Sequence, residues 1–299
     1  MTRPRIGLMS GGAGDHVAAA EELPIDSLWV GGHVASPNGA PEVLVGLARL
    51  AALTSRVRVG TSVLLLPLYP PAIVAKAVAD VDRASGGRVT LGVGIGGEYP
   101  VEFNACQVPV RERGRRTDEA IPLLRAFWTG EPVTSAGRYY PVDEVRIFPA
   151  PAQAGGPPVI VAGRQEPAMR RAALIGDGWM PYLYSPRRYA ASVSTITDCA
   201  AEAGRDLAAF EWFAFVFVNA DRDGDRARRE TAEFLGGTYR QNFNEMLSSV
   251  AVAGTPGEVT DRLHEYVDAG ARHLIVTPAT TSGWRPLVDR LAEEVFPAL

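Results

Sequence analysis

The chain has 299 residues, 46% of them hydrophobic, and a formal charge of −4 with acids and bases interspersed. That length suits one large domain or two ordinary ones, and the composition is ample for a buried core. With no basic arm or tail, nucleic acid and a membrane surface are poor principal partners. The stretch MTRPRIGLMSGG lacks the uninterrupted apolar core of a signal peptide, and the longest apolar run, near residues 63–68, is too short to span a bilayer. A cytoplasmic protein is expected. Cys106 and Cys199 are the only cysteines and lack metal-ligand spacing, so inert thiols and no metal site are expected.

In chain order, a first strand is expected at residues 5–9 and a second at 27–30, inside DSLWVGGHV. His33 lies just past that second strand, where its near-neutral pKa suits a general acid or base; a loop histidine bonded to backbone is the alternative. A helix over 40–53 leads to a third strand at 57–65, RVRVGTSVLLLP. Its polar pair Thr61-Ser62 interrupts an apolar run, placing hydroxyls either at a ligand or against satisfied core partners.

Pro70-Pro71 and Gly86-Gly87 bracket a helix at 71–84, whose Ile73, Val74, Ala77, Val78 and Val81 form one apolar stripe. The fourth strand, 88–93, runs into LGVGIGGEYPVEF, where Gly92, Gly94 and Gly97 spell G-x-G-x-x-G. A dinucleotide fingerprint needs a helix opening at once, yet Glu98, Tyr99 and Pro100 follow, and Pro100 biases Tyr99 away from helical geometry. The acids some twenty residues on, Asp118 and Glu119, fall in a helical pattern at 117–128 instead of closing a strand. The glycines therefore serve a close ligand approach, a sharp turn, or both.

Residues 130–158 are rich in Gly and Pro and read as an inserted loop with a hairpin around Ser135 to Gly137. The fifth strand, 159–161, precedes Gly163 and Arg164 and a helix at 167–175 opened by Pro167. Free amides, a helix dipole and a guanidinium converge there on a phosphate, unless Arg164 is only a solvated charge. A sixth strand at 178–182, a helix at 186–203, a seventh strand at 212–218, a helix at 256–269 and an eighth strand at 273–277 complete the alternation. Thr255-Pro256-Gly257-Glu258 is a capping box. Eight strands alternating with helices, several of them continuous apolar runs, favour a single α/β domain over residues 1–299, a (β/α)8 TIM barrel with an insertion after strand 4, over a doubly wound sheet.

Other chemistries fit less well. The single lysine, Lys76, lies mid-helix, which excludes a strand-end Schiff-base lysine, and no G-x-S-x-G motif is present.

Taken together, DSLWVGGHV, RVRVGTSVLLLP, the block from DRASGG to WTGEP, GRYY, PPVIVAGRQEPAMRRAALIGDGWMP and AGTPGEVTDRLHEYVDAGARHLIV resemble the bacterial luciferase-like flavin and deazaflavin enzymes over nearly the whole chain. The resemblance is strongest to the branch using coenzyme F420, an 8-hydroxy-5-deazaflavin. It implies a non-proline cis peptide between Ser62 and Val63, and a ring site from Thr61, Ser62, Val63, Gly94, Ile95 and Gly96. Ala162, Gly163 and Arg164 would hold the cofactor phosphate, Trp179 would line the cavity, and His33 would face the reacting carbon. Hydride would pass between F420 and a small organic substrate at the C-terminal face of the barrel, with His33 moving the proton. The alternatives are an FMN-dependent two-component monooxygenase of the same family, fed by a separate flavin reductase, and a non-catalytic flavin-binding protein that keeps the ring site without turnover. A homodimer is the expected assembly. Relatives commonly carry an acid directly before the histidine; here Gly32 stands there, and Glu98 is the candidate replacement and second catalytic residue.

Overall fold

The computed structural model describes residues 3–10, 14–36 and 39–299. Eight parallel strands close on themselves: β1 (Arg5–Met9), β2 (Ser27–Val30), β3 (Arg58–Thr61), β4 (Val89–Gly94), β5 (Val159–Ala162), β6 (Gly178–Met180), β7 (Glu211–Ala220) and β8 (His273–Pro278). Each pairs with the next, and β8 returns to β1 with Arg5 opposite His273. The barrel and the insertion after β4 match the sequence reading. Past β3, a short strand Leu64–Leu65 pairs with Val93 and Gly94, and Ala251–Gly254 adds to the outer end of β7.

β4 is buried along its full length, as a parallel strand covered on both faces must be. Its neighbours inside the barrel stack in layers. At the N-terminal end, Arg5 pairs with Glu211, Arg58 donates to Thr90 Oγ1 (2.9 Å), and Ser27 bonds His273 Nε2 (2.7 Å). Above these lies Trp29, its Nε1 donating to Ser27 Oγ (2.7 Å). A methyl group on Gly7 would sit 2.6 Å from that indole nitrogen and one on Gly60 2.4 Å from its Cζ3. These two strand glycines are the space in which the indole lies.

Helices cover the outside. Pro71–Ala84 keeps its predicted bounds, stopped by Gly86 and Gly87 at φ +68° and +83°. The capping box at Thr255 and Glu258 is present. The helix expected from residue 40 begins at Val43 because the Glu42 carboxylate caps Val45 N. That expected from 117 begins at Arg113, four charged or glycine positions earlier than the apolar pattern shows. Gly14–Glu21, Pro100–Ala105, Gly224–Tyr239, Leu247–Val250 and Trp284–Arg290 are helices that the apolar periodicity did not reveal.

The insertion forms an antiparallel hairpin, Val133–Ser135 with Val142–Val145. Glu119 accepts the amides of Tyr139 and Tyr140, and Arg116 lies over both rings (5.1 and 5.7 Å). At its far end, buried Asp82 accepts from Gln153 N (2.9 Å) and Nε2 (2.7 Å). Among the described residues no helix is long and apolar enough to cross a membrane, and no three metal-ligating side chains gather.

Candidate functional site

Trp29, Ile160, Met180, Phe213 and Ile275 plug the barrel, with Met9, Val63, Ala162 and Phe215 against them on the C-terminal side. The candidate site is the region above this plug, among the loops leaving each strand.

Past β3 the peptide between Ser62 and Val63 is cis, as the family resemblance implied. Backbone surrounds it closely: a methyl on Gly31 would lie 2.7 Å from the Ser62 carbonyl oxygen, and one on Gly94 2.7 Å from Val63 Cγ2. One on Gly92 would lie 2.0 Å from the Thr61 carbonyl oxygen. Three glycines thus pack against one bulge and leave this wall with little side-chain relief. Thr61 is buried and donates to the Gly92 carbonyl (2.7 Å), so its hydroxyl has a core partner, whereas Ser62 Oγ donates to Met180 Sδ (3.3 Å) at the top of the plug. Gly96 and Gly97 turn the chain at φ +63° and +118°, and Ile95 sits between Gly94 and this turn. A short helix then opens at Pro100, with Tyr99 in extended geometry at its cap.

That helix carries the residue the sequence reading missed. Glu102, wholly buried, reaches His33: its Oε1 is 3.2 Å from Nδ1, and its Oε2 accepts from Val34 N (3.1 Å). Tyr99 meets the imidazole edge-on, centroids 5.0 Å apart. Because backbone amides already donate to Glu102, the carboxylate acts as an acceptor, so Nδ1 donates to it and Nε2 keeps the free lone pair. The carboxylate supporting His33 is therefore Glu102, not Glu98. Glu98 instead accepts from the Tyr182 hydroxyl (3.1 Å). No local pattern marks Glu102, since its partner is 69 residues away.

After β5, Gly163 at φ +144° sits tight against the following helix, where a methyl group would be 2.5 Å from Ala168 Cβ. The helix Glu166–Ile175 has no side chain capping its N-terminus. Arg164 stacks on Tyr182 (4.7 Å), and its carbonyl accepts from Arg188 (3.0 Å). Trp179 does not line the cavity. Strand alternation turns it outward, where it is buried against Tyr184 and Tyr189 and donates to the Gly163 carbonyl (2.9 Å). Met180, the next residue, faces inward with Ala162 nearby.

Two hydroxyls at this end, Ser10 Oγ and Thr277 Oγ1, are buried without a hydrogen-bond partner among the described residues. Thr277 continues the inward-facing series of His273 and Ile275 along β8. Burial, then the Glu98 charge, pushes the Tyr182 phenol up to about 12; burial likewise raises Tyr239, which feels Glu98, Tyr182 and Arg164. These side chains form one rim.

The luciferase-like monooxygenase family model matches residues 10–273. A protein of Nakamurella multipartita named F420-dependent glucose-6-phosphate dehydrogenase is 30% identical, over 87% of this chain and 84% of its own. Among solved structures, an F420-dependent secondary alcohol dehydrogenase in complex with an F420-acetone adduct superposes with a TM-score of 0.87 at 21% identity, over 99% of both chains. The oxygenating constituent of 3,6-diketocamphane monooxygenase from Pseudomonas putida, in complex with FMN, gives 0.81 at 18%, over 99% and 98%.

Proposed function

The chain belongs to the luciferase-like monooxygenase family, and from that premise we propose that it is an oxidoreductase passing a hydride between coenzyme F420 and a small organic substrate. The name of the Nakamurella relative supports the cofactor. The observation that carries the reading is the His33–Glu102 pair beside a wall of close-packed glycine backbone.

The residues fit the group. The bulge at Thr61, Ser62 and Val63, with Gly94, Ile95 and Gly96, would back the ring. Thr277, a buried hydroxyl without a partner among the described residues, fits a polar heterocycle. Ala162, Gly163 and Arg164 with the uncapped helix N-terminus would hold the phosphate. Trp179 acts one step back, fixing the Gly163 carbonyl.

When bound, the deazaflavin supplies a ring carbon that gives or takes a hydride. His33 Nε2 moves the matching proton; Glu102 fixes the tautomer and Tyr99 the ring plane. Glu98, through Tyr182, places a second carboxylate at the mouth. Aromatic walls from β7 and the helix Gly224–Tyr239 exclude water.

Fluorescence titration with F420 and, separately, with FMN tests the reading. Selective binding of F420 is expected. Selective FMN binding would replace it with oxygen-using chemistry fed by a flavin reductase, and binding without turnover of any substrate would favour a carrier protein.

A further inference from the structure

The strand Ala251–Gly254 pairs with β7 along one edge; among the described residues its other edge meets no strand. A cleft of about 670 Å³ is lined by this strand, the first turns of the helices Gly224–Tyr239 and Pro256–Asp268, and the short helix Leu247–Val250. None of the residues placed at the barrel mouth lines it. Its volume is that of a small-molecule site.

Arg228, Arg229 and Arg262 line the cleft. Arg262 donates to the Ser248 carbonyl (2.8 Å) and to Glu265 (2.5 Å). Arg228 donates to the Ala253 carbonyl (3.4 Å), to Asp225 (3.2 Å) and to Glu258 (3.3 Å). Backbone crowds that last pair, since a methyl group on Gly254 would lie 2.5 Å from Glu258 Oε2 and 3.0 Å from Arg228 Nη1. Two of the three guanidiniums are thus held in place before any ligand arrives. Arg229 is 70% exposed, and its Nη2 stands 3.9 Å from Asp223, beyond hydrogen-bond reach. Glu258, the one acid among the lining residues, is already engaged, its Oε2 accepting from Thr255 N (2.7 Å) and Oγ1 (3.0 Å) as well as from Arg228.

We propose that this cleft is a second binding site, for a phosphate monoester with an apolar organic part. Three cations face one engaged acid, so the wall carries net positive charge in a chain whose formal charge is −4. Asp225 and Glu265 stand beside it as ion-pair partners, but exposed pairs of this kind contribute little. A phosphate ester carries up to two negative charges near neutral pH and offers three oxygens to planar guanidinium forks, so it displaces such partners where a single carboxylate would not. Leu247 and Val252 supply apolar wall for the rest of the ligand. The site is independent of the cofactor assignment at the barrel mouth.

The test is calorimetric titration of the full chain with AMP and with phenyl phosphate, each against its phosphate-free parent, adenosine or phenol. At least one ester is expected to bind about tenfold or more tightly than its parent, and to weaken as salt is raised. Arg229→Gln should weaken that binding about tenfold, the loss of one charge-assisted contact, and Arg229→Gln combined with Arg262→Gln should abolish it. Because Arg229 is exposed and its nearest acid is 3.9 Å away, Arg229→Gln should keep the parent's melting temperature, which separates a lost ligand contact from a lost fold. Binding of neither ester overturns the proposal, as does equal binding of ester and parent. Unaltered affinity in the double variant overturns it too, by moving the ester to the loop at Gly163 and Arg164.

Discussion

Replacing Glu102 with Gln isolates what the buried carboxylate does for His33. The native group has acceptors on both sides: Oε2 takes Val34 N at 3.1 Å, with Ala35 N at 3.5 Å, while Oε1 faces His33 Nδ1 at 3.2 Å. An amide of the same shape keeps one oxygen. If that oxygen stays with the backbone, the NH2 group faces Nδ1 and donates to it, forcing the proton onto Nε2 and blocking it as a base. If the amide flips, Val34 N–H meets a donor and loses its partner, at a cost of about 1–3 kcal/mol for a buried unsatisfied group. The first outcome predicts kcat lower by about 10²–10⁴, the usual range for a displaced general base, with a changed pH profile and little change in KM. Glu102→Asp, which keeps the charge at longer reach, should restore part of the rate. Steady-state kinetics across pH with thermal unfolding in parallel separate the two. Unaltered kcat and an unaltered profile in Glu102→Gln would refute the positioning role.

Other perturbations probe the scaffold. Gly92→Ala sets a methyl 2.0 Å from the Thr61 carbonyl oxygen; moving the bulge aside should cost about 3 kcal/mol and lower Tm by about 6–12 °C. A Tm within experimental error of the parent would show that the wall is pliable. Asp82→Ala removes the acceptors of Gln153 N and Nε2, so about 2–4 kcal/mol of stability should go and limited proteolysis should cut residues 130–158 faster. His273 is held well below the ordinary histidine value by burial and then by Arg5 and Arg58, so the unfolded chain binds the extra proton first. Stability should therefore be full above about pH 6.5 and fall below it by up to about 1.4 kcal/mol per pH unit. Urea titrations from pH 7 to 5 should show that slope, and His273→Gln should flatten it.

All eight barrel strands were legible because each is an apolar run punctuated by glycine, proline or charge, and their alternation with helices favoured the barrel over a doubly wound sheet. The helix Gly224–Tyr239 was not legible, because its exposed face, rich in Arg and Glu, hides the few buried positions such as Ala227, Thr231 and Leu235. Trp179 shows a sharper limit. Its place at a strand end was evident, but whether it points in or out turns on one residue of strand phase, and Gly178 and Met180 take the inner positions. Glu98 and Glu102 show another: both acids follow the glycine turn, and the helical turn from Pro100 to Ala105 decides which one returns to His33.

The path from Trp29 to His33 explains why the site has the depth it does. Trp29 lies across the barrel in the space left by Gly7 and Gly60, and so forms a floor above which any ligand must sit. Two residues on, Gly31 has no side chain, and the Ser62 carbonyl closes to within 2.7 Å of where one would begin. Two further on, His33 emerges with 27% of its side chain exposed and Glu102 behind it. Floor, close backbone approach and the histidine proposed to carry the proton thus come from alternate positions of one segment. A substitution that shifts the register of β2 by one residue would displace all three together.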